Sequence, residues 1–188
     1  MVGSKNVENP VFITQADEYV FAQGNHYEIY EKLGAHKTVV DGVEGVYFAV
    51  WAPNAMYVNV IGSFNNWDLF KDNMQRLGDG GIYALFVPEA RVGDMYKYVI
   101  TTPSGEKLYK ADPYANQSQL RPDNASIVAD LTEFTWSDTT WMRNREETDW
   151  NKKPMAIYEC HIGSWMKHPV PEGDKKATGF YNYREFAD

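Results

Sequence analysis

The chain has 188 residues, 44% hydrophobic and 23% charged, enough for one β-domain of ordinary size with some chain to spare. Its net charge of −8, with no basic run longer than two residues, excludes a nucleic-acid partner, which requires clustered Lys and Arg. Its single cysteine, Cys160, excludes an intrachain disulfide, and no stretch approaches membrane-spanning length. With a polar N-terminus that lacks an apolar signal core, these features predict a cytoplasmic protein.

Met1 to Asn9 reads as a disordered leader, and Ala16 to Gly24 has no clear period. Asn25 predicts a cap for a short helix from His26 to Leu33, with Tyr27, Tyr30 and Leu33 on one stripe and Gly34 ending it. From Val46 the apolar period becomes 2. Strands are predicted at Val46–Trp51, Tyr57–Phe64, Ile82–Val87, Met95–Ile100, Lys107–Lys110 and Ser126–Ala129, separated by Gly- and Pro-containing turns. Short strands punctuated this way predict a mainly β chain folded as an immunoglobulin-like antiparallel β-sandwich.

Trp136 to Lys153 is polar and reads as a linker, with Trp136, Trp141 and Trp150 pinning it to a neighbour. Met155–Cys160 after Pro154 predicts one more strand, and Asn182–Ala187 the beginning of a helix. A lone strand cannot bury both its faces, so a second, incomplete domain is expected to begin near Pro154. The expected organisation is a leader and short helix at 1–40, a sandwich at 41–135, a linker at 136–153 and the start of another domain at 154–188.

The turn Gly62-Ser63-Phe64-Asn65-Asn66-Trp67 carries the functional reading. It places a large aromatic at a strand end, where the flat ring suits the apolar C–H face of a sugar and the amides suit its hydroxyl rim. Asn65 and Asn66 could bond hydroxyls or serve only to hold the turn. Lys97 interrupts an aromatic and aliphatic strand and is either an ordinary solvated position or a ligand contact. Trp51, before Pro53, is expected in the core, and Cys160 as a buried small apolar residue. His26, His36, His161 and His168 lack metal-site spacing, and no phosphate loop or nucleophile elbow is present, so no metal or cofactor is expected.

Tyr30–His36, Val50–Ala55, Gly62–Trp67, Tyr96-Lys97-Tyr98, Lys110–Tyr114 and Ile157–Trp165 occur in the order seen in glycogen branching enzymes, and the resemblance covers about residues 20–188. It implies a family 48 carbohydrate-binding module followed by the first strand of a (β/α)8 glycoside hydrolase family 13 barrel, with His161 and Trp165 at its base. It implies that Trp67 stacks on glucose and that Lys97 reaches a sugar hydroxyl. Glycogen-sensing modules carry a second platform tryptophan after the lysine strand. Here Leu108 or Tyr109 would have to substitute, and Asn124 or Ser126 would supply their late asparagine.

The whole enzyme that the resemblance implies cleaves α-1,4 bonds and re-forms them as α-1,6 branches through a carboxylate pair. The family carries that pair on later barrel strands, so these 188 residues are expected to be inactive alone. The expected partners are glycogen or α-1,4-glucan chains and the catalytic barrel. An alternative is a non-binding brace that docks on the barrel and positions it.

Overall fold

The structure is a computed structural model that describes residues 12–132, 134–173 and 179–188. The expected leader Met1–Asn9 lies outside the described residues. Contacts divide the chain into two units, Met1–Thr135 and Trp136–Asp188.

The first unit is an antiparallel β-sandwich. One sheet has the order β1 (Gly34–Val40), β2 (Val43–Trp51), β5 (Ile82–Val87), β4 (Gln75–Leu77). The other runs β3 (Tyr57–Gly62), β6 (Met95–Thr101), β9 (Ser126–Ile127), β8 (Gln117–Ser118), with β7 (Lys107–Lys110) also paired to β6. Val46, Phe48 and Val50 of β2 pack with Val58, Val60, Tyr96 and Tyr98 of the second sheet to form the core. Alternation sends Tyr47 and Ala49 to the opposite face, where they join Ile13, Ile29, Leu33, Ile82 and Ala84 in a second cluster. The first sheet is therefore covered on both faces, which explains why six successive residues, Gly45 to Val50, are all buried.

The cover comes from the N-terminal segment, where the sequence reading needs correction. Helix α1 spans Gln15–Ala22, all but its first residue in the stretch Ala16–Gly24 that showed no period, and the expected helix His26–Leu33 is reduced to a 3₁₀ turn at Ile29–Glu31. A capping box starts α1: the Thr14 hydroxyl accepts from the Asp17 N–H, and the Asp17 carboxylate accepts from the Thr14 N–H. Burial opposes the charge on Asp17, but the Lys32 ammonium at 2.6 Å and the Thr14 donors hold its carboxyl well below the usual range. Local polar bonding thus set the helix where side-chain periodicity was silent. The segment after Gly34, placed outside the sandwich by sequence, is β1, in register with β2 from Gly34↔Ala49 to Val40↔Val43.

Asp112 lies buried in the sandwich, where it accepts the Tyr96 hydroxyl at 2.6 Å and the Tyr98 hydroxyl at 3.2 Å on Oδ2. Its Oδ1 accepts the Tyr114 N–H at 2.8 Å, and its own N–H donates to Ser126 Oγ at 2.8 Å. This network joins β6, the segment after β7, and β9 by polar bonds inside the core.

The second unit contains α2 (Thr139–Glu147), a 3₁₀ turn at Trp150–Lys152, α3 (Ile162–Trp165) and α4 (Tyr183–Ala187). The predicted linker is thus partly helical. The strand expected at Met155–Cys160 is not formed: no described residue pairs with it, and an extended segment without a neighbour has no ladder to hold it. Cys160 is consequently exposed rather than buried. Among the described residues no helix is long and apolar enough to cross a membrane, and no three His, Cys, Asp or Glu side chains group as metal ligands.

Candidate functional site

The turn after β3 is held by one asparagine. Asn65 is 3% exposed; its Oδ1 accepts from the Gly62 N–H at 2.9 Å, and its Nδ2 donates to the Val60 carbonyl at 3.1 Å and to Asp72 Oδ2 at 2.7 Å. Burial pushes the Asp72 carboxyl above its usual range, an effect that the Asn65 bond opposes. Gly62 is required for a steric reason: a Cβ there would sit 2.3 Å from the Met95 carbonyl oxygen. Asn59 braces the far side of the loop, donating to the Leu69 carbonyl at 2.9 Å and bonding Asn73. Ser63 Oγ donates to Asp94 Oδ1 at 2.6 Å and accepts from the Met95 N–H at 3.1 Å.

This framework forces Asn66 and Trp67 into the left-handed region, at φ 56° and φ 60°. Such conformations cost about 1–3 kcal/mol in a residue with a side chain and persist only where surrounding bonds determine them. The Trp67 N–H donates to the Gly62 carbonyl at 2.9 Å, and the residue is left 39% exposed. Replacing Asn65 with alanine strands the Gly62 N–H and frees the turn. A loss of about 1–3 kcal/mol of stability is expected. Chemical denaturation checks it, together with a Trp67 fluorescence signal that becomes more solvent-exposed.

Trp67 forms one wall of a groove of about 430 Å³ on the outer face of the second sheet. Ile61 pairs with Lys97 and Val99 with Tyr109, so all four side chains share that face. Lys97 and Tyr109 both line the groove. Leu108 pairs with Ile100, which packs against the core, so it points to the opposite face and is not part of the groove. The hairpin between β8 and β9 supplies Gln119 and Asp123 as the other wall. Lys97 Nζ donates to Asn124 Oδ1 at 2.6 Å, whereas Ser126 is buried and faces the core, where it bonds Asp112.

Of the predicted site residues, then, the fold brings Trp67 and Lys97 together. Asn66 is exposed on the turn without lining the groove. Asn65 is withdrawn from any ligand by its buried hydrogen bonds, and Tyr109 takes the place considered for Leu108. Gln119 and Asp123 were missed, because nothing in the local sequence shows that the β8–β9 hairpin folds beside Trp67.

The groove combines aromatic faces at Trp67 and Tyr109 with an ammonium, an amide and a carboxylate. Rings of this kind cover apolar C–H surface, and the polar rim can exchange hydrogen bonds with hydroxyls. Trp51 is another correction: it is 51% exposed, packs edge-on to Phe21 at 5.6 Å and donates Nε1–H to the Gly80 carbonyl at 2.9 Å.

Residues 32–115 match carbohydrate-binding module 48, the isoamylase N-terminal domain. The 1,4-alpha-glucan branching enzyme GlgB of Butyrivibrio fibrisolvens is 54% identical over 178 residues, which is 95% of this chain and 27% of that protein. The chain resembles the N-terminal part of a 1,4-alpha-glucan branching enzyme. The GlgB of Thermosynechococcus vestitus is 52% identical over 93% of this chain and 25% of its own length. The chain thus spans about a quarter of the branching enzymes it matches. A pullulanase from Anoxybacillus sp. LM18-11, solved with maltotetraose, aligns with 80% of this chain and 18% of its own at 20% identity and TM-score 0.49. Within the branching-enzyme resemblance the module match runs from Lys32 to Ala115. It takes in Trp67, Lys97 and Tyr109, while Gln119, Asp123 and Asn124 lie beyond it.

Proposed function

We propose that the sandwich is the α-1,4-glucan-binding module of a 1,4-α-glucan branching enzyme, acting in glycogen synthesis in the cytoplasm. The observation that carries this reading is Trp67. It is held half-exposed by a strained, heavily braced turn, on the same groove as Lys97 and Tyr109. Backbone strain at an exposed aromatic contributes nothing to stability and is tolerable where the ring has work to do. The Trp67 face takes the C–H face of one glucose, Tyr109 covers a neighbouring residue, and Lys97 with Asn124, Gln119 and Asp123 exchanges hydrogen bonds with hydroxyls. The groove adds an acid, amides and a single ammonium already bonded to Asn124, so it favours a neutral polyol over an anion.

On the same reading, residues 154–188 begin a family 13 barrel, and the parent protein breaks α-1,4 bonds and re-forms them as α-1,6 branches. The module then keeps a long donor or acceptor chain close to the catalytic domain, which raises its effective concentration there.

Calorimetric titration of the chain with maltoheptaose, and with cellohexaose as a flat-chain control, tests the proposal. Binding of maltoheptaose alone is expected, weakened about threefold to tenfold by Tyr109→Ala, the range for one aromatic contact. No heat with maltoheptaose would overturn the binding role and leave the module as a brace.

A further inference from the structure

The face of the first sheet that turns away from the Trp67 groove holds a buried group that the proposed function does not use. Tyr47 is 2% exposed, and its hydroxyl has no hydrogen-bond partner among the described residues. Burial pushes this phenol up to about 12. A buried polar group left unpaired costs about 1–3 kcal/mol, so a natural core seldom keeps one without a reason. The Tyr47 ring lines a cavity of about 280 Å³, and Phe12 packs edge-on against it at 4.7 Å.

That cavity shares Glu31 and Thr38 with a groove of about 580 Å³ that runs past Tyr30, within the size of ordinary ligand pockets. Tyr30 is well exposed and offers an aromatic face. The two lysines on these walls are already paired, Lys32 with Asp17 at 2.6 Å and Lys37 with Asp130 at 3.1 Å. A site whose cations are neutralised in place is poorly suited to phosphate or carboxylate. A carboxylate, a hydroxyl, an aromatic face and an unpartnered phenol together suit a neutral ligand rich in hydroxyls.

We propose that this groove is a second α-glucan contact on the module. Tyr30 packs on a sugar face, Glu31 and Thr38 bond hydroxyls at the rim, and one hydroxyl reaches the Tyr47 hydroxyl, which is closed to solvent in the free chain, by moving the Phe12 ring aside. The proposal rests on the glucan reading of the Trp67 groove for its choice of ligand. This groove runs along the β1 edge of the sandwich and shares no lining residue with the Trp67 groove, so the two are separate contacts for a short oligosaccharide. A branched polymer can engage both, and its two weak contacts multiply through effective concentration.

An amide-resolved NMR titration of the full chain with maltoheptaose separates the two sites. Shifts are expected both at residues 62–67 with Lys97 and at residues 30–38 with 129–132. Tyr30→Ala removes the second set and leaves the first. Tyr47→Phe, which loses no hydrogen bond to a described residue, folds at least as stably as the parent chain and weakens the second set about fivefold, the range for one hydrogen bond. Shifts confined to the Trp67 groove overturn this proposal and leave the proposed function standing. Shifts confined to residues 30–38 and 129–132 uphold this site and refute the Trp67 reading, and no shift at either refutes both. Shifts at 30–38 that survive Tyr30→Ala also overturn it.

Discussion

Replacing Trp67 with alanine is expected to weaken maltoheptaose binding at its groove about tenfold while leaving the fold intact. The ring contributes a stacking face worth ~0.5–1.5 kcal/mol beyond the area it covers, and 1.4 kcal/mol is a factor of ten. It contributes little to stability, because it sits half in solvent on the outer face, whereas the turn beneath it is held by Asn65, Asn59 and Ser63. Trp67→Gly sharpens the test. At φ 60° a residue with a Cβ is strained, so glycine at this position should be about 1 kcal/mol more stable than alanine, with the same loss of binding. Denaturation measures the first difference and calorimetry the second. A stabilised, non-binding Trp67→Gly variant is the signature of strain retained for ligand contact. Unchanged affinity in both variants would remove stacking at Trp67 as the basis of recognition.

Replacing Asp112 with alanine is expected to be the most damaging single change to the sandwich, costing about 3 kcal/mol or more. It leaves the buried Tyr96 hydroxyl without its carboxylate acceptor and weakens the bonding of Tyr98, whose hydroxyl falls back on the Ala49 and Gly34 carbonyls at 3.3 and 3.4 Å. Stranded buried groups account for the large values in mutational series.

The carboxylate also sets a pH dependence. Burial raises the Asp112 pKa in the folded state, against the hydrogen bonds from Tyr96, Tyr114 and Tyr98, which lower it. The folded chain therefore holds this proton at a pH where the unfolded chain has released it. The Asp112 contribution to stability is fullest below the unfolded value, about 3.9, and declines as pH rises toward the folded value. Asp112→Asn keeps an oxygen acceptor but cannot ionise. Its stability relative to the parent chain should improve as pH increases from about 4. A constant difference between the two across that range would show that Asp112 does not titrate there.

Much of the sandwich was legible in the sequence because its strands obey period 2 and end at glycine or proline. The strands Ile82–Val87, Met95–Thr101 and Lys107–Lys110 lie within a residue of where alternation placed them. The turn bearing Trp67 was legible for a similar reason, since an aromatic among small amide residues after a strand is a local pattern. Other features depended on partners far along the chain. β1 has two exposed positions and little apolar rhythm, and only its ladder with β2 makes it a strand. Met155–Cys160 has the rhythm of a strand but no described residue to pair with.

The sequence by itself determined the fold class, the position of the tryptophan turn and the family resemblance, because each is written in residues close together along the chain. The tertiary structure alone decided which side chains meet. Strand pairing put Tyr109 rather than Leu108 on the face of Lys97, and a hairpin more than fifty residues after Trp67 closed the groove. Burial withdrew Asn65 from any ligand and made Asp112 the acceptor of two tyrosines. Those outcomes follow from cross-strand register and from the need of buried polar groups for partners, and neither is encoded in any local window of residues.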